Sequence, residues 1–145
     1  MHNARDVVRQ KGGRVFSVEP GASVLKALEL MAEKNIGAVM VMTGDKVAGI
    51  LSERDCVRKV DLAGKSARDS TVQEIMTRDV LYVEAGQPVE ECMALMIDKN
   101  IRHLPVYENG KLLGLISVRD VLKDVVDYQK FIIKQLEHYI AGTGR

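Results

Sequence analysis

Two stretches of this chain bring groups able to do chemistry into a single helical turn. Ser52-Glu53-Arg54-Asp55 and Ser117-Val118-Arg119-Asp120 each set a hydroxyl, a guanidinium and a carboxylate within four residues. Each directly follows an apolar run, Gly49-Ile50-Leu51 and Gly114-Leu115-Ile116. Two readings of the motif stand side by side. Ser-x-x-Asp is a capping pattern, in which the serine satisfies an orphan amide and the acid favours the positive end of the helix. The same aspartate can instead accept hydrogen bonds from vicinal ribose hydroxyls, as an acidic residue does in dinucleotide folds. Serine, arginine and exposed helix amides then suit a phosphate. An arginine in the first turn opposes the helix dipole, yet both stretches carry one, which favours an anion at that place.

The two motifs are 65 positions apart, and so is nearly everything around them. Val18-Glu19, Gly21 and Val24 recur as Val83-Glu84, Gly86 and Val89, and Lys34-Asn35-Ile36 as Lys99-Asn100-Ile101. The chain is therefore two copies of one unit. Each copy opens on a short extended piece, Arg14–Val18 or Val80–Val83. A helix follows, with apolar residues three and four apart: Val24, Ala27, Leu28, Met31 in one copy, Val89, Cys92, Met93, Met96 in the other. Ser23 is suited to cap the first and Pro88 to open the second, and both should end near an asparagine, Asn35 or Asn100. Two apolar runs divided by a turn come next, Thr43-Gly44-Asp45 in one copy and Glu108-Asn109-Gly110 in the other; Asn-Gly is a strong hairpin signal. A second helix then starts at Ser52 or Ser117. Between the copies, 62–70 reads as an exposed loop and 72–77 as a short helix leading into the second copy. After Asp124 a helix should continue to about Ile140, with Val125, Tyr128, Ile132, Leu136 and Tyr139 packing on the body or on a second subunit.

Composition narrows the function. At 145 residues, each copy alone is marginal in size, so a core shared by the two is expected. A formal charge of +1 with mixed signs asks for no nucleic acid, and no apolar run is long enough to span a membrane. The first residues lack the apolar stretch of a secretory signal, and a cytoplasmic location is expected. Cys56 and Cys92 fall at non-equivalent repeat positions and the three histidines are scattered, which leaves no metal site. No Walker loop, nucleophile elbow or convergent carboxylate pair is present, so no catalytic residue is assigned and the chain reads as a non-enzyme.

From Gly13 to Asp127 the chain resembles the tandem CBS domain, named after cystathionine beta-synthase, two copies of which form a Bateman module. The resemblance rests on Ile101-Arg102-His103-Leu104-Pro105-Val106 followed by Gly114-Leu115-Ile116-Ser117-Val118-Arg119-Asp120, with both terminal aspartates in register. It implies an α+β fold of two strand-helix-strand-strand-helix repeats related by a pseudo-twofold axis, plus a C-terminal helix. The boundaries expected are 8–62 and 77–127 for the repeats, 63–76 for the linker and short helix, and 128–145 for the C-terminal helix and tail. It also implies clefts that bind AMP, ADP, ATP, NAD or S-adenosylmethionine as regulatory ligands rather than catalytic cofactors.

Carried over by motif, Asp120 would hold a ribose with Ser117 beside it. Arg119, Arg102 and His103 would lie near phosphate, and the purine would rest on Ile36, Gly37 and Ala38 and near Val15 and Phe16. His103 reads equally as a structural residue before a strand. The second site would use Asp55, Ser52 and Arg54, with Ile101, Arg102 and Leu81 or Thr77. The first copy has Gly37-Ala38-Val39-Met40 where the second has Arg102-His103-Leu104-Pro105, so it offers no cation there, and the Asp120 site is expected to be the tighter one. The resulting expectation is a stand-alone homodimeric sensor of adenine nucleotides that signals energy or redox state to a separate, unidentified protein. The alternative is a ligand-free scaffold whose Ser-x-x-Asp motifs only cap helices.

Overall fold

The computed structural model describes His2 to Ile140; the last five residues of the expected tail, 141–145, lie outside the described residues. The chain forms two α+β units with the repeated element order expected. One unit spans Val15–Leu81, and the other joins the N-terminal residues up to Arg14 to the chain from Tyr82 on. They are called the Asp55 unit and the Asp120 unit below.

In the Asp55 unit, strand β1 (Ser17–Val18) runs parallel to β2 (Ala38–Thr43), which pairs antiparallel with β3 (Lys46–Ser52). Helix α2 (Val24–Lys34) starts at Ser23, whose Oγ accepts from the Lys26 amide at 3.1 Å. It stops at Asn35, held in the left-handed region at φ 54°, which asparagine tolerates better than most residues. Helix α3 (Glu53–Cys56) follows β3 and widens at once into a π-helical turn, Val57–Asp61. Helix α4 (Val72–Ile75) completes the unit.

The Asp120 unit repeats this plan. Strands β4 (Val83–Glu84), β5 (His103–Glu108) and β6 (Lys111–Ser117) pair in the same order and sense. Helix α5 (Val89–Lys99) ends on left-handed Asn100, and Pro88 stands one place earlier than expected, as the N-cap. The last helix, α6, runs unbroken from Val118 to Ile140.

The helix completing this unit is one the sequence reading left unassigned, α1 (Ala4–Gln10). Asn3 and Asp6 close a capping box at its start, with the Asp6 amide 3.0 Å from Asn3 Oδ1 and the Asn3 amide 2.9 Å from Asp6 Oδ2. Ala4, Val7 and Val8 are buried, and burying a valine side chain contributes about 1.5–3 kcal/mol. Arg5 ties the helix to Glu108 through an ion pair.

Helix α4 does the same for the Asp55 unit. Thr71 and Glu74 make the capping box, and Val72, Ile75 and Met76 are buried. The segment 72–77, expected to lead into the second copy, packs within the Asp55 unit.

One glycine in each unit lets the lead segment cross the sheet. A Cβ at Gly49 would lie 2.6 Å from the Thr77 carbonyl oxygen, and one at Gly114 would lie 2.7 Å from Val8 Cγ1. With α1 and α4 as lids, each unit has its own hydrophobic cluster. The apolar stripe of α6 meets the body of its unit only at its start. Val121 is buried and Val125 partly so, but Tyr128, Ile132, Leu136 and Tyr139 are exposed.

Candidate functional site

Both Ser-x-x-Asp motifs sit where a strand becomes a helix, and both are complete caps. The Asp55 amide donates to Ser52 Oγ and the Asp120 amide to Ser117 Oγ, each at 3.1 Å. In return Asp55 Oδ2 accepts from the Ser52 amide at 3.1 Å, and Asp120 Oδ2 from the Ser117 amide at 2.8 Å. The carboxylates are thereby fixed in orientation without being sealed off: 22% of the Asp120 side chain and 16% of the Asp55 side chain remain exposed.

The oxygen that takes the ion pair differs between them. Asp55 Oδ1 pairs with Lys59 Nζ at 3.1 Å and lies 3.5 Å from Thr77 Oγ1. Asp120 Oδ2 instead takes the ammonium of Lys11 at 2.7 Å, and the same ammonium donates to the Leu115 carbonyl at 2.9 Å. Burial works to raise the Asp120 pKa, but Lys11 and the Ser117 cap together hold it below the usual carboxylate value.

His103 opens β5 directly across from Ser117. Burial, aided by the positive charges of Lys11 and Arg102 and opposed by Asp120, lowers its pKa to about 4. The imidazole is therefore neutral at physiological pH, and toward a phosphate it is a hydrogen-bonding group rather than a cation. Lys11, Arg102 and Arg119 are among the cations of this unit. Arg102 and Arg119 are exposed, and the Arg102 carbonyl receives the Val118 amide at 2.9 Å, which joins Arg102 to the start of α6. Ile101, partly buried, precedes them.

The Asp55 unit gathers the other expected residues. Ala38 pairs with Ser52 across the sheet, the Gly37 carbonyl accepts the Glu53 amide at 3.0 Å, and the Phe16 carbonyl accepts the Met40 amide at 3.1 Å. Val15, Phe16, Ile36 and Gly37 are partly exposed, whereas Ala38 is buried. Arg54 and Leu81 belong to this unit, and so does Thr77, which was expected to come from the second repeat; it reaches Asp55 as a member of Asp55's own unit.

Lys11 is the site residue that sequence reasoning missed. At the uniform spacing of 65 it falls on Met76, so that register offered no cation there. The signal that could have found it is the capping pattern Asn3-x-x-Asp6 ahead of Val7-Val8, which puts a helix directly before Lys11.

Cys56 and Cys92 are buried free thiols. Burial first and neighbouring carboxylates second push both up to about 11, so neither is reactive at neutral pH. No cluster of metal-ligating side chains occurs among the described residues, and none of their helices is long and apolar enough to cross a membrane.

Two copies of a strand-helix-strand-strand-helix unit, each with a capped aspartate at its second helix, define a tandem-repeat module. The CBS domain family model matches residues 4–62 and 72–127, and the chain belongs to that family. It is similar to a protein with CBS domains from Burkholderia ambifaria whose structure is solved: identity is 44%, the TM-score 0.83, and the match covers 86% of this chain and 94% of that one. The mitochondrial CBS domain-containing protein CBSX3 of Arabidopsis thaliana is 34% identical over 94% of this chain and 71% of its own length. The fold also matches the CBS domain pair of protein MJ0100, at 21% identity and a TM-score of 0.77 over 88% of this chain and 98% of that one; that structure holds 5′-methylthioadenosine and S-adenosyl-L-methionine.

Proposed function

We propose that this protein is a regulatory, non-catalytic module of the cytoplasm that binds an adenosine-containing nucleotide, AMP, ADP, ATP or NAD, and passes energy or redox state to a partner protein. It acts as a homodimer, and its ligand is a signal rather than a catalytic cofactor. The observation that carries this reading is Asp120: a carboxylate locked in place by its cap and still partly exposed. Such a group is prepared to accept ribose hydroxyls without reorganising.

Lys11, Arg102 and Arg119 supply positive charge for phosphate, Ser117 a hydroxyl and His103 a neutral ring. In the Asp55 unit, Val15, Phe16, Ile36 and Gly37 offer partly exposed apolar surface suited to a purine. Asp55, with Ser52 and Arg54, holds the weaker position, because its second oxygen is already paired with Lys59. The adenosine derivatives bound by a protein of the same fold support the ligand class. Signalling follows if the ligand binds one conformation of the module better than another.

The test is thermal unfolding with AMP, ATP, NAD and S-adenosylmethionine, on the native protein and on Asp120→Ala and Asp55→Ala. A rise with an adenine ligand that Asp120→Ala removes is the expected outcome. No rise with any of the four would leave both motifs as helix caps and favour the ligand-free scaffold.

A further inference from the structure

Helix α6 leaves the body of its unit after Val125, and from Val126 to Ile140 every residue is exposed. That length is not polar. Leu122, Val126, Ile133, Leu136 and Ile140 are exposed, Leu136 by 55% and Ile140 by 82%. With Gln129 they fall alternately four and three residues apart, the spacing of a heptad seam. Val126, Ile133 and Ile140 take one core position of the heptad and Leu122, Gln129 and Leu136 the other. With the neighbouring Tyr128, Ile132 and Tyr139, the exposed side chains present on the order of 800 Å² per protomer, if each large apolar side chain offers roughly 200 Å² when free. A stable dimer buries about that much on each partner, and a patch this large rarely stays bare on a monomer.

The two borders of the seam differ in character. One carries Val125, Ile132 and Tyr139, and the other Lys123, Lys130 and Glu137. In a parallel pair each border faces the opposite border of the partner, which would set Ile132 against Glu137 and Val125 against Lys130. In an antiparallel pair each border faces its own kind. The apolar rows then meet, and Lys123 meets the partner's Glu137 twice by symmetry, against one like-charged Lys130 pair on the axis. The core layers also match in that direction, with Leu122 on Ile140, Val126 on Leu136 and Gln129 on Ile133 of the partner.

We infer that α6 pairs antiparallel with the α6 of a second copy of this chain, along the Leu122–Ile140 seam. The inference deepens the homodimer part of the proposed function and is independent of the nucleotide. Sedimentation equilibrium of the full chain tests it, with circular dichroism as a check on folding. Positions 133 and 136 are exposed in the protomer, so the variants retain the fold. The native chain is expected to be dimeric, and Leu136→Lys and Ile133→Asp should each weaken association by about a hundredfold or more. Lys123→Glu and Glu137→Lys should each weaken it several-fold, and the double exchange should restore it. A monomeric native chain would overturn both the pairing and the homodimer reading. A dimer indifferent to Leu136→Lys and Ile133→Asp would overturn the helix pairing and leave the homodimer standing, and a double exchange no better than the single ones would overturn the antiparallel register. The ligand-induced thermal shift tests the sensor reading separately, whatever the mass.

Discussion

In the Asp55 unit the lead helix stops at Ile75, and the backbone at Thr77 pairs with Ile50, amide to carbonyl in both directions at 2.9 and 3.0 Å. In the Asp120 unit the lead helix runs on to Gln10, and the Lys11 ammonium donates to the Leu115 carbonyl, the repeat counterpart of Ile50. The two lead segments align residue for residue at their start: Asn3 with Thr71, Ala4 with Val72, Asp6 with Glu74, Val7 with Ile75, Val8 with Met76. The offset there is 68 residues instead of 65, three more than in the rest of the repeat. Those three residues are nearly one helical turn, and they bring a cation to Asp120 that Asp55 obtains only from its own helix. A small insertion outside the repeated motif has made two similar carboxylates chemically unequal.

The comparison is broken most forcibly at the crossing glycines. Gly49→Ala drives a Cβ into a backbone oxygen and should cost about 3 kcal/mol, whereas Gly114→Ala meets the side chain of Val8 and should cost about 1 kcal/mol. Urea unfolding of both variants reads the difference, and equal losses would show that the two lids yield alike.

Next in size is the ligand response. At a hundred times its dissociation constant a nucleotide adds about 2.7 kcal/mol, so Asp120→Ala should lose a rise of several degrees in unfolding midpoint that Asp55→Ala largely keeps. The reverse order would put the tighter site at Asp55.

Acid sharpens the contrast. His103 has its folded pKa lowered from 6.5 to about 4, so the unfolded chain takes up that proton first and stability falls as pH drops from about 6.5 to about 4. Asp120, held below its ordinary 3.8, stabilises the fold at neutral pH, and that contribution is lost only further down, as pH falls through its folded pKa. Unfolding midpoints between pH 3 and 7 should therefore flatten over the upper window in His103→Gln, while Asp120→Asn should fall below the native chain at neutral pH and close that gap toward the acid end.

The smallest effects are those of the two lysines. Lys11→Met should cost about 1 kcal/mol, because its ion pair is partly sheltered and the Leu115 carbonyl loses a donor. Lys59→Ala loses both its i,i+4 pair with Asp55 and its 3.0 Å hydrogen bond to the Ile75 carbonyl, and should likewise cost about 1 kcal/mol. Calorimetric midpoints of the two variants measure both losses.

Much of this molecule was legible in the order of its residues. The 65-residue register delivered both sheets and the helix ends at Asn35 and Asn100, because these depend on local periodicity and on residues that tolerate a left-handed backbone. It also delivered the two capped aspartates, since Ser-x-x-Asp closes within one turn. What stayed hidden involves partners distant along the chain. Val8 meets Gly114 and Lys11 meets Asp120 across more than a hundred residues, and no local pattern records which sheet a four-residue or seven-residue helix will cover. His103 is the same kind of case: its residue type admits a cation near phosphate, and only burial beside Lys11 and Arg102 made it neutral.

The sequence by itself determined the repeat, the element order and the identity of the two carboxylates, because each is written in spacings of a few residues or in one exact periodicity. Tertiary structure alone decided which lead helix closes which core, that Asp120 is paired with Lys11 through Oδ2, and that most of the apolar stripe of α6 stays exposed. The physical reason is that burial and charge pairing depend on the surroundings a side chain finds after folding, and those surroundings are assembled from residues the chain keeps far apart.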